Sequence, residues 1–163
     1  MDCVPPFSLT SMLLAAIVAG IAWSAVDAAV EQAGRVWMAS GTSWAEWPMV
    51  QNTVAAPNIA TETTRAGLSD VAEECWREVE CGALQQRTHA RLHAIADHAL
   101  RIGRQVVSDL FTVGSVDGLR TGHELEEALR DLHGMSVQRE RYRNFQLDAG
   151  QVLLAGEPRD PRF

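Results

Sequence analysis

Residues 84–113 decide the fold, and they read LQQRTHARLHAIADHALRIGRQVVSDLFTV. Apolar side chains recur there every three or four residues, at Leu92, Ile95, Ala96, Ala99, Ile102, Val106, Leu110 and Val113. Because that spacing puts them on one face of a helix, the stretch predicts a long amphipathic helix, with Gly114 as its stop. Strand-forming residues are sparse in the rest of the chain and alternating patterns are absent, so the predicted class is all-α.

Four further helical regions flank this one, at about Ser8–Gly34, Ala45–Glu80, Gly122–Val137 and Arg141–Ala155. Long helices joined by short turns predict an antiparallel four-helix bundle, with the last region as a short extra C-terminal helix. One proline disturbs the pattern, since Pro57 predicts a kink or break near Ala56. The predicted organisation is a lead-in at 1–7, one helical domain at 8–155 and a tail at 156–163.

Composition narrows the class of protein. The chain has 163 residues, 47% of them apolar, which is enough for a sizeable core without metal or disulfides. Its net charge is −7 with no block of like charge, which argues against nucleic-acid partners and anionic membrane surfaces. The three cysteines, Cys3, Cys75 and Cys81, are an odd number and predict reduced thiols in a cytoplasmic protein.

The amino-terminal region is apolar enough to suggest a signal peptide or a membrane span. Met12–Trp23 is almost continuously apolar, but Asp2 is acidic and the first basic residue is Arg35. A signal peptide would begin with basic residues, and a span needs about 20 apolar residues, whereas Ser24 and Asp27 interrupt this run. The sequence therefore favours a buried helix and no membrane association.

Two histidines have a spacing that suits a metal. His89 and His93 are four residues apart on one predicted helix, so both side chains lie on the same face. A closed metal site needs four placed ligands, and Cys75 and Cys81, six residues apart, do not match a zinc motif. A solvated helix face is the favoured interpretation of the two histidines, and no metal is predicted.

The titratable residues near the end of the fourth helix offer a second candidate. Arg130, Asp131 and His133 cluster there, and Glu126 lies four residues before Arg130, where the two can pair. An ion-paired helix end explains this cluster structurally. Alternatively, the helix presents a fixed cation and an imidazole that can move a proton to a bound cofactor. Spacing alone favours the structural interpretation.

Several segments together carry a family resemblance, which covers most of the chain. They are Gly20-Ile21-Ala22, Trp47-Pro48-Met49-Val50-Gln51, Val106–Phe111 leading into Gly114-Ser115, Arg130-Asp131-Leu132-His133, and Ala149–Gly156. In order and spacing they resemble the C-terminal helical domain of the acyl-CoA dehydrogenase superfamily. The branch they resemble contains flavin-dependent monooxygenases of the aromatic hydroxylase and dibenzothiophene desulfurisation type.

The resemblance implies that the domain forms one wall of a flavin site, for FAD or FMN, and the core of an oligomer. It assigns His133 and Gln138 to the catalytic side of that wall, and Arg130 and Ser136 to cofactor binding. It also implies an amino-terminal helical domain and a middle β domain, which the 163 residues do not contain. We therefore expect a chain that is inactive alone and self-associates as a dimer or tetramer. Either it is a piece of a truncated or split gene product, or a partner chain supplies those domains.

Some positions depart from the family pattern and leave an alternative open. Gln138 stands where a second histidine is common, and an amide does not shuttle protons at neutral pH. Ser40 appears where an arginine grips the cofactor diphosphate, and Leu129 replaces a common tryptophan. The catalytic glutamate of true dehydrogenases has no convincing counterpart. The alternative is a non-catalytic helical oligomerisation module that has lost flavin chemistry.

Overall fold

The computed structural model describes residues 4–35, 41–111, 113, 122–140 and 145–156, with the backbone alone at 136–140, 145 and 155. Its elements are α1 (Pro6–Gly34), a 3-10 turn (Trp44–Glu46), α2 (Pro48–Glu80), α3 (Gln86–Phe111), α4 (Glu124–Glu140) and α5 (Phe145–Ala155). No β-strand occurs within these ranges, so the predicted all-α class is confirmed.

Helix α3 is the centre of the bundle and contacts α1, α2, α4 and α5. Ala15 packs near Ala96 and Ala99 at one level, and Ala33 packs near Val113 at another, so α1 and α3 run in the same direction. Val50, at the start of α2, joins the second level, so α2 runs in the opposite direction. The result is an up-and-down arrangement of α1–α4, with α5 added against α3.

The main core lies where α1, α3 and α4 meet. Its buried members are Val18, Ala22, Ala25, Val26, Ala29, Leu100, Val106, Val107, Leu110, Leu125, Ala128 and Leu132. The small residues of α1 let α3 approach closely, and the tightest contact is at Gly103. A Cβ atom built on Gly103 would lie 2.5 Å from Cγ1 of Val18, so the packing leaves no room for a side chain there.

Helix α2 corrects one sequence-based prediction. Pro57 lies inside a helix that continues without a break from Pro48 to Glu80, so the predicted break near Ala56 is wrong. A proline removes one helical hydrogen bond and costs about 3 kcal/mol or more in a helix interior. Pro57 is buried, however, and Thr61 donates its hydroxyl to the Pro57 carbonyl at 2.9 Å. Packing of this 33-residue helix against α1 and α3 outweighs the local cost.

Most helix ends agree with the prediction to within a few residues. Helix α1 begins at Pro6 rather than Ser8, with proline in its first turn, and ends at Gly34 as predicted. Helix α2 begins at Pro48, because the residues before it form the separate 3-10 turn, capped by Ser43. The Ser43 hydroxyl oxygen accepts a hydrogen bond from the backbone N–H of Ala45 at 3.1 Å.

Helix α1 is both a core helix and unusually apolar. By length and composition it could cross a membrane, with a mean hydropathy of 2.0 over its most apolar 18 residues. Core helices of soluble proteins meet the same criterion, and 39% of that window is buried inside the bundle. One face packs in the core through Ala15, Val18 and Ala22, whereas Leu13 and Ile17 on another face are 66% and 52% exposed.

Candidate functional site

Helix α4 has a buried face and an exposed face. Leu125, Ala128 and Leu132 are at most 8% exposed and pack into the main core. Arg130 and His133, three residues apart and so neighbours on the helix surface, are both exposed. The bundle therefore presents the two side chains that the family resemblance assigns to the flavin wall.

Arg130 forms the predicted ion pair with Glu126. Its Nη1 donates to Oε1 of Glu126 at 3.1 Å and to Oε2 at 3.3 Å. The Arg130 side chain is 60% exposed, and the Glu126 side chain is 25% exposed. Exposed pairs of this kind contribute about 0.2–1 kcal/mol, so an anionic ligand can compete for the guanidinium at small cost.

His133 is oriented by the backbone of its own helix. Its Nδ1 lies 2.9 Å from the carbonyl oxygen of Leu129. A carbonyl oxygen only accepts hydrogen bonds, so Nδ1 must carry the proton, and in the neutral ring Nε2 is then the accepting nitrogen. The tautomer is inferred from this contact. His133 thus has a defined nitrogen on which to take up or release a proton.

A groove of about 660 Å³ separates α4 from α1. It is lined by Ile17, Gly20, Ile21, Ser24, Ala25, Asp27, Glu124, Glu127, Ala128 and Asp131. Its four carboxylates make it acidic, and neither Arg130 nor His133 lines it. The structure therefore separates Asp131, which faces this acidic groove, from the Arg130 and His133 pair.

Five residues named by the resemblance are not tested by the geometry. Ser136 and Gln138 fall in the last part of α4, where the backbone alone is described. Ser40 lies outside the described residues, as do Gly114 and Ser115. Their assigned roles remain predictions.

A second groove, of about 630 Å³, lies between α1 and α2 and was not predicted from the sequence. The guanidinium carbon of Arg65 sits 4.9 Å from the ring centroid of Trp23, a cation–π contact across the groove. Met12 and Leu68 are among the apolar residues that line this groove. No local pattern pointed to this pair, because the two residues lie on different helices, 42 positions apart in the sequence.

The predicted solvated face at His89 and His93 is wrong. The two residues are only 8% and 2% exposed, and Ser8, which is fully buried, covers them from α1. The Ser8 Oγ atom lies 2.6 Å from Nε2 of His89 and 3.2 Å from Nε2 of His93. The two Nε2 atoms are 3.1 Å apart. The start of α1 packs over this face of α3, which the spacing on α3 could not reveal.

No cluster of three or more His, Cys, Asp or Glu side chains suited to a metal occurs in the part of the chain that the structure describes. Cys75 is buried and Cys81 is exposed, and both are free thiols. Burial, with Glu78 and Glu74 nearby, raises the pKa of the Cys75 thiol to about 11. Cys75 is therefore an unreactive core thiol and no candidate nucleophile.

Comparison with known proteins gives a family for this chain and a similar solved structure. The family model for the acyl-CoA dehydrogenase C-terminal domain matches residues 12–138. The structure resembles the crystal structure of 3-HSA hydroxylase from Rhodococcus sp. RHA1, with a TM-score of 0.84 and 21% sequence identity. The match covers 98% of this chain but 42% of that chain, so it spans less than half of the hydroxylase. No curated protein matches significantly.

Proposed function

Because this chain belongs to the acyl-CoA dehydrogenase C-terminal domain family, we propose that it supplies the C-terminal helical domain of a flavin-dependent oxidoreductase of the monooxygenase type. The observation that carries the proposal is the exposed face of α4. There a cation, Arg130, and an imidazole with a defined tautomer, His133, stand side by side on a helix anchored by Leu125 and Leu132. A cation beside an accepting imidazole nitrogen fits a cofactor that has an anionic phosphate and a ring that exchanges protons.

When bound, a flavin, FAD or FMN, supplies the redox chemistry, and the protein supplies binding, orientation and electrostatics. On this chain, the Arg130 guanidinium would bind a negatively charged group of the cofactor. Its ion pair with Glu126 would be replaced by this contact. The Nε2 atom of His133 is the position at which this chain would exchange a proton with the cofactor. Ser136 and Gln138, further along α4, are proposed as a cofactor contact and a hydrogen-bonding partner on the catalytic side.

The charge around α4 restricts where the cofactor can bind. Asp27, Glu124, Glu127 and Asp131 line the groove towards α1, and like charges in a shared cleft repel a phosphate. The phosphate side of the cofactor therefore approaches the Arg130 edge and stays out of that groove. The chain contributes one wall, and the amino-terminal and middle domains of such an enzyme supply the others.

Self-association is the second part of the proposal. Apolar side chains on the outer face of α1 are about half exposed or more, namely Leu9 at 48%, Leu13 at 66% and Ile17 at 52%. Exposed apolar stretches of this kind mark association surfaces. We propose that α1 contributes to a dimer or tetramer interface, in a protein of the cytoplasm.

The test is retention of flavin by the purified complex of this chain with a protein that carries the other two domains. Arg130→Gln and His133→Ala should lower the ratio of flavin to protein. Arg101→Gln is the matched control, because Arg101 forms a similar exposed pair with Asp97 on α3, at 3.7 Å. Equal flavin retention by Arg130→Gln and Arg101→Gln would contradict the assigned role of Arg130.

A non-catalytic assembly module is the second candidate, and one observation favours it. Arg130 is already neutralised by Glu126, and the adjoining groove is acidic, so α4 offers a phosphate little net attraction. This candidate predicts a stable dimer or tetramer that retains no flavin with any partner. Light scattering and flavin absorbance on the same sample separate the two candidates. Flavin retention excludes the non-catalytic module, and a monomer argues against the self-association that both candidates include.

A further inference from the structure

A buried group of donor atoms lies at the end of the bundle where α1 begins. Ser8 Oγ, His89 Nε2 and His93 Nε2 lie 2.6, 3.2 and 3.1 Å from one another. All three residues are at most 8% exposed. We propose that Ser8, His89 and His93 form a binding site for one divalent late transition-metal ion, such as Zn²⁺, Co²⁺, Ni²⁺ or Cu²⁺.

The distance between the two imidazole nitrogens carries the proposal. Metal–nitrogen distances of about 2.0–2.1 Å and a separation of 3.1 Å between Nε2 atoms correspond to a ligand–metal–ligand angle of about 98°. That value lies between the octahedral and tetrahedral angles, so both rings can bind one ion with little movement. The spacing of four residues on α3 holds the two rings on the same face.

The donor set selects the class of metal. Neutral imidazole nitrogens suit Zn, Cu, Fe and Ni, whereas Mg and Ca require carboxylate, carbonyl and water oxygens. Both rings then carry their proton on Nδ1 and direct the Nε2 lone pair to the ion. The Ser8 hydroxyl must shift by a few tenths of an ångström to become the third ligand, because 2.6 Å from His89 Nε2 is closer than two ligands of one ion usually lie.

The surroundings also suit a bound ion. The ring of Phe7 stacks on His93 with centroids 5.7 Å apart, and the two histidine rings meet edge to face at 4.8 Å. The Phe7 ring is half exposed, so it shields one side of the histidine pair from water. Because Ser8 belongs to α1 and both histidines belong to α3, the metal would join the first turn of one helix to the other. Binding is therefore expected to raise the thermal midpoint of unfolding.

The experiment uses the full chain without a polyhistidine tag, stripped with a chelator, and with Cys3→Ser and Cys81→Ser so that neither of these thiols binds metal. Titration with Zn²⁺ by calorimetry and with Co²⁺ by visible absorbance should give one ion per chain. Mg²⁺ and Ca²⁺ should not bind. His89→Gln and His93→Gln should weaken Zn²⁺ binding roughly 100-fold, and Ser8→Ala roughly tenfold, by comparison with the losses known for metal-supporting residues.

His98→Gln is the matched control, because His98 is an exposed histidine of the same helix and should leave binding unchanged. If a variant does not fold, electron paramagnetic resonance of the wild-type chain with Cu²⁺ still tests the site, and should show two nitrogen ligands. The proposal is overturned if Zn²⁺, Co²⁺ and Cu²⁺ all fail to bind. Binding that survives the loss of both histidines in a folded variant, or a copper spectrum without two nitrogens, also overturns it.

Discussion

Gly103→Ala is the sharpest test of how α1 and α3 pack. The new Cβ atom would lie 2.5 Å from Cγ1 of Val18 and 3.8 Å from Cδ1 of Leu132. Non-bonded carbon atoms prefer about 3.5–4.0 Å, so Val18 or the helix axis must move by about 1 Å or more. Val18 is fully buried and β-branched, with essentially one favoured rotamer in a helix, so it cannot turn away.

The expected effect is the sum of two opposing terms. Alanine is favoured over glycine in a helix by about 1 kcal/mol. Overpacking of a tight core costs about 1–3 kcal/mol. Gly103→Ala should therefore leave the free energy of unfolding unchanged or lower it by up to about 2 kcal/mol. Gly134→Ala on α4 isolates the first term, because no atom lies within 4 Å of its added Cβ.

Urea denaturation followed by circular dichroism measures both variants. The free energy of unfolding should rise by up to about 1 kcal/mol in Gly134→Ala. In Gly103→Ala it should be about 1–3 kcal/mol lower than in Gly134→Ala. In a Val18→Ala background the clash partner is absent, so Gly103→Ala should become stabilising, and the double-mutant cycle should show the coupling. An equal gain from Gly103→Ala and Gly134→Ala would refute the close approach of α1 and α3.

Three further outcomes are expected. At pH 8 a thiol reagent should modify Cys81 and spare Cys75 until the chain unfolds, because burial raises the pKa of Cys75 to about 11. Since the pKa of Cys75 in the folded chain is above its ordinary value of 9.0, this contribution to stability is complete below pH 9 and falls between pH 9 and 11 by up to about 1.4 kcal/mol per pH unit. Cys75→Ala should remove that slope in pH-dependent unfolding. Arg91→Gln breaks ion pairs from α3 to Glu74 and Asp70 of α2. It should lower the free energy of unfolding, measured by urea denaturation, by about 0.5–1 kcal/mol, and this loss should disappear in 1 M salt.

Local patterns predicted most of the helical architecture. The apolar spacing of α3 and the stop at Gly34 depend on neighbours within a few residues, and the structure confirms both. The Arg130–Glu126 pair was predicted for the same reason, because four residues along a helix bring two side chains together.

Contacts between distant segments explain what the sequence did not reveal. His89 and His93 are buried because Ser8 lies over them, 81 and 85 residues away along the chain. Pro57 stays inside a continuous helix because α2 packs along α1 and α3. The energy of that packing comes from contacts with other helices, which local helix propensity does not include. The Trp23–Arg65 contact likewise joins two helices and has no signature in either.

The most direct test of the flavin-wall proposal is the affinity of a flavin for a protein carrying the amino-terminal and middle domains, measured with and without this chain. The proposal predicts that adding the chain tightens flavin binding, and that Arg130→Gln reverses most of the gain while Arg101→Gln keeps it. The same flavin affinity in the presence and absence of the chain would contradict the proposal.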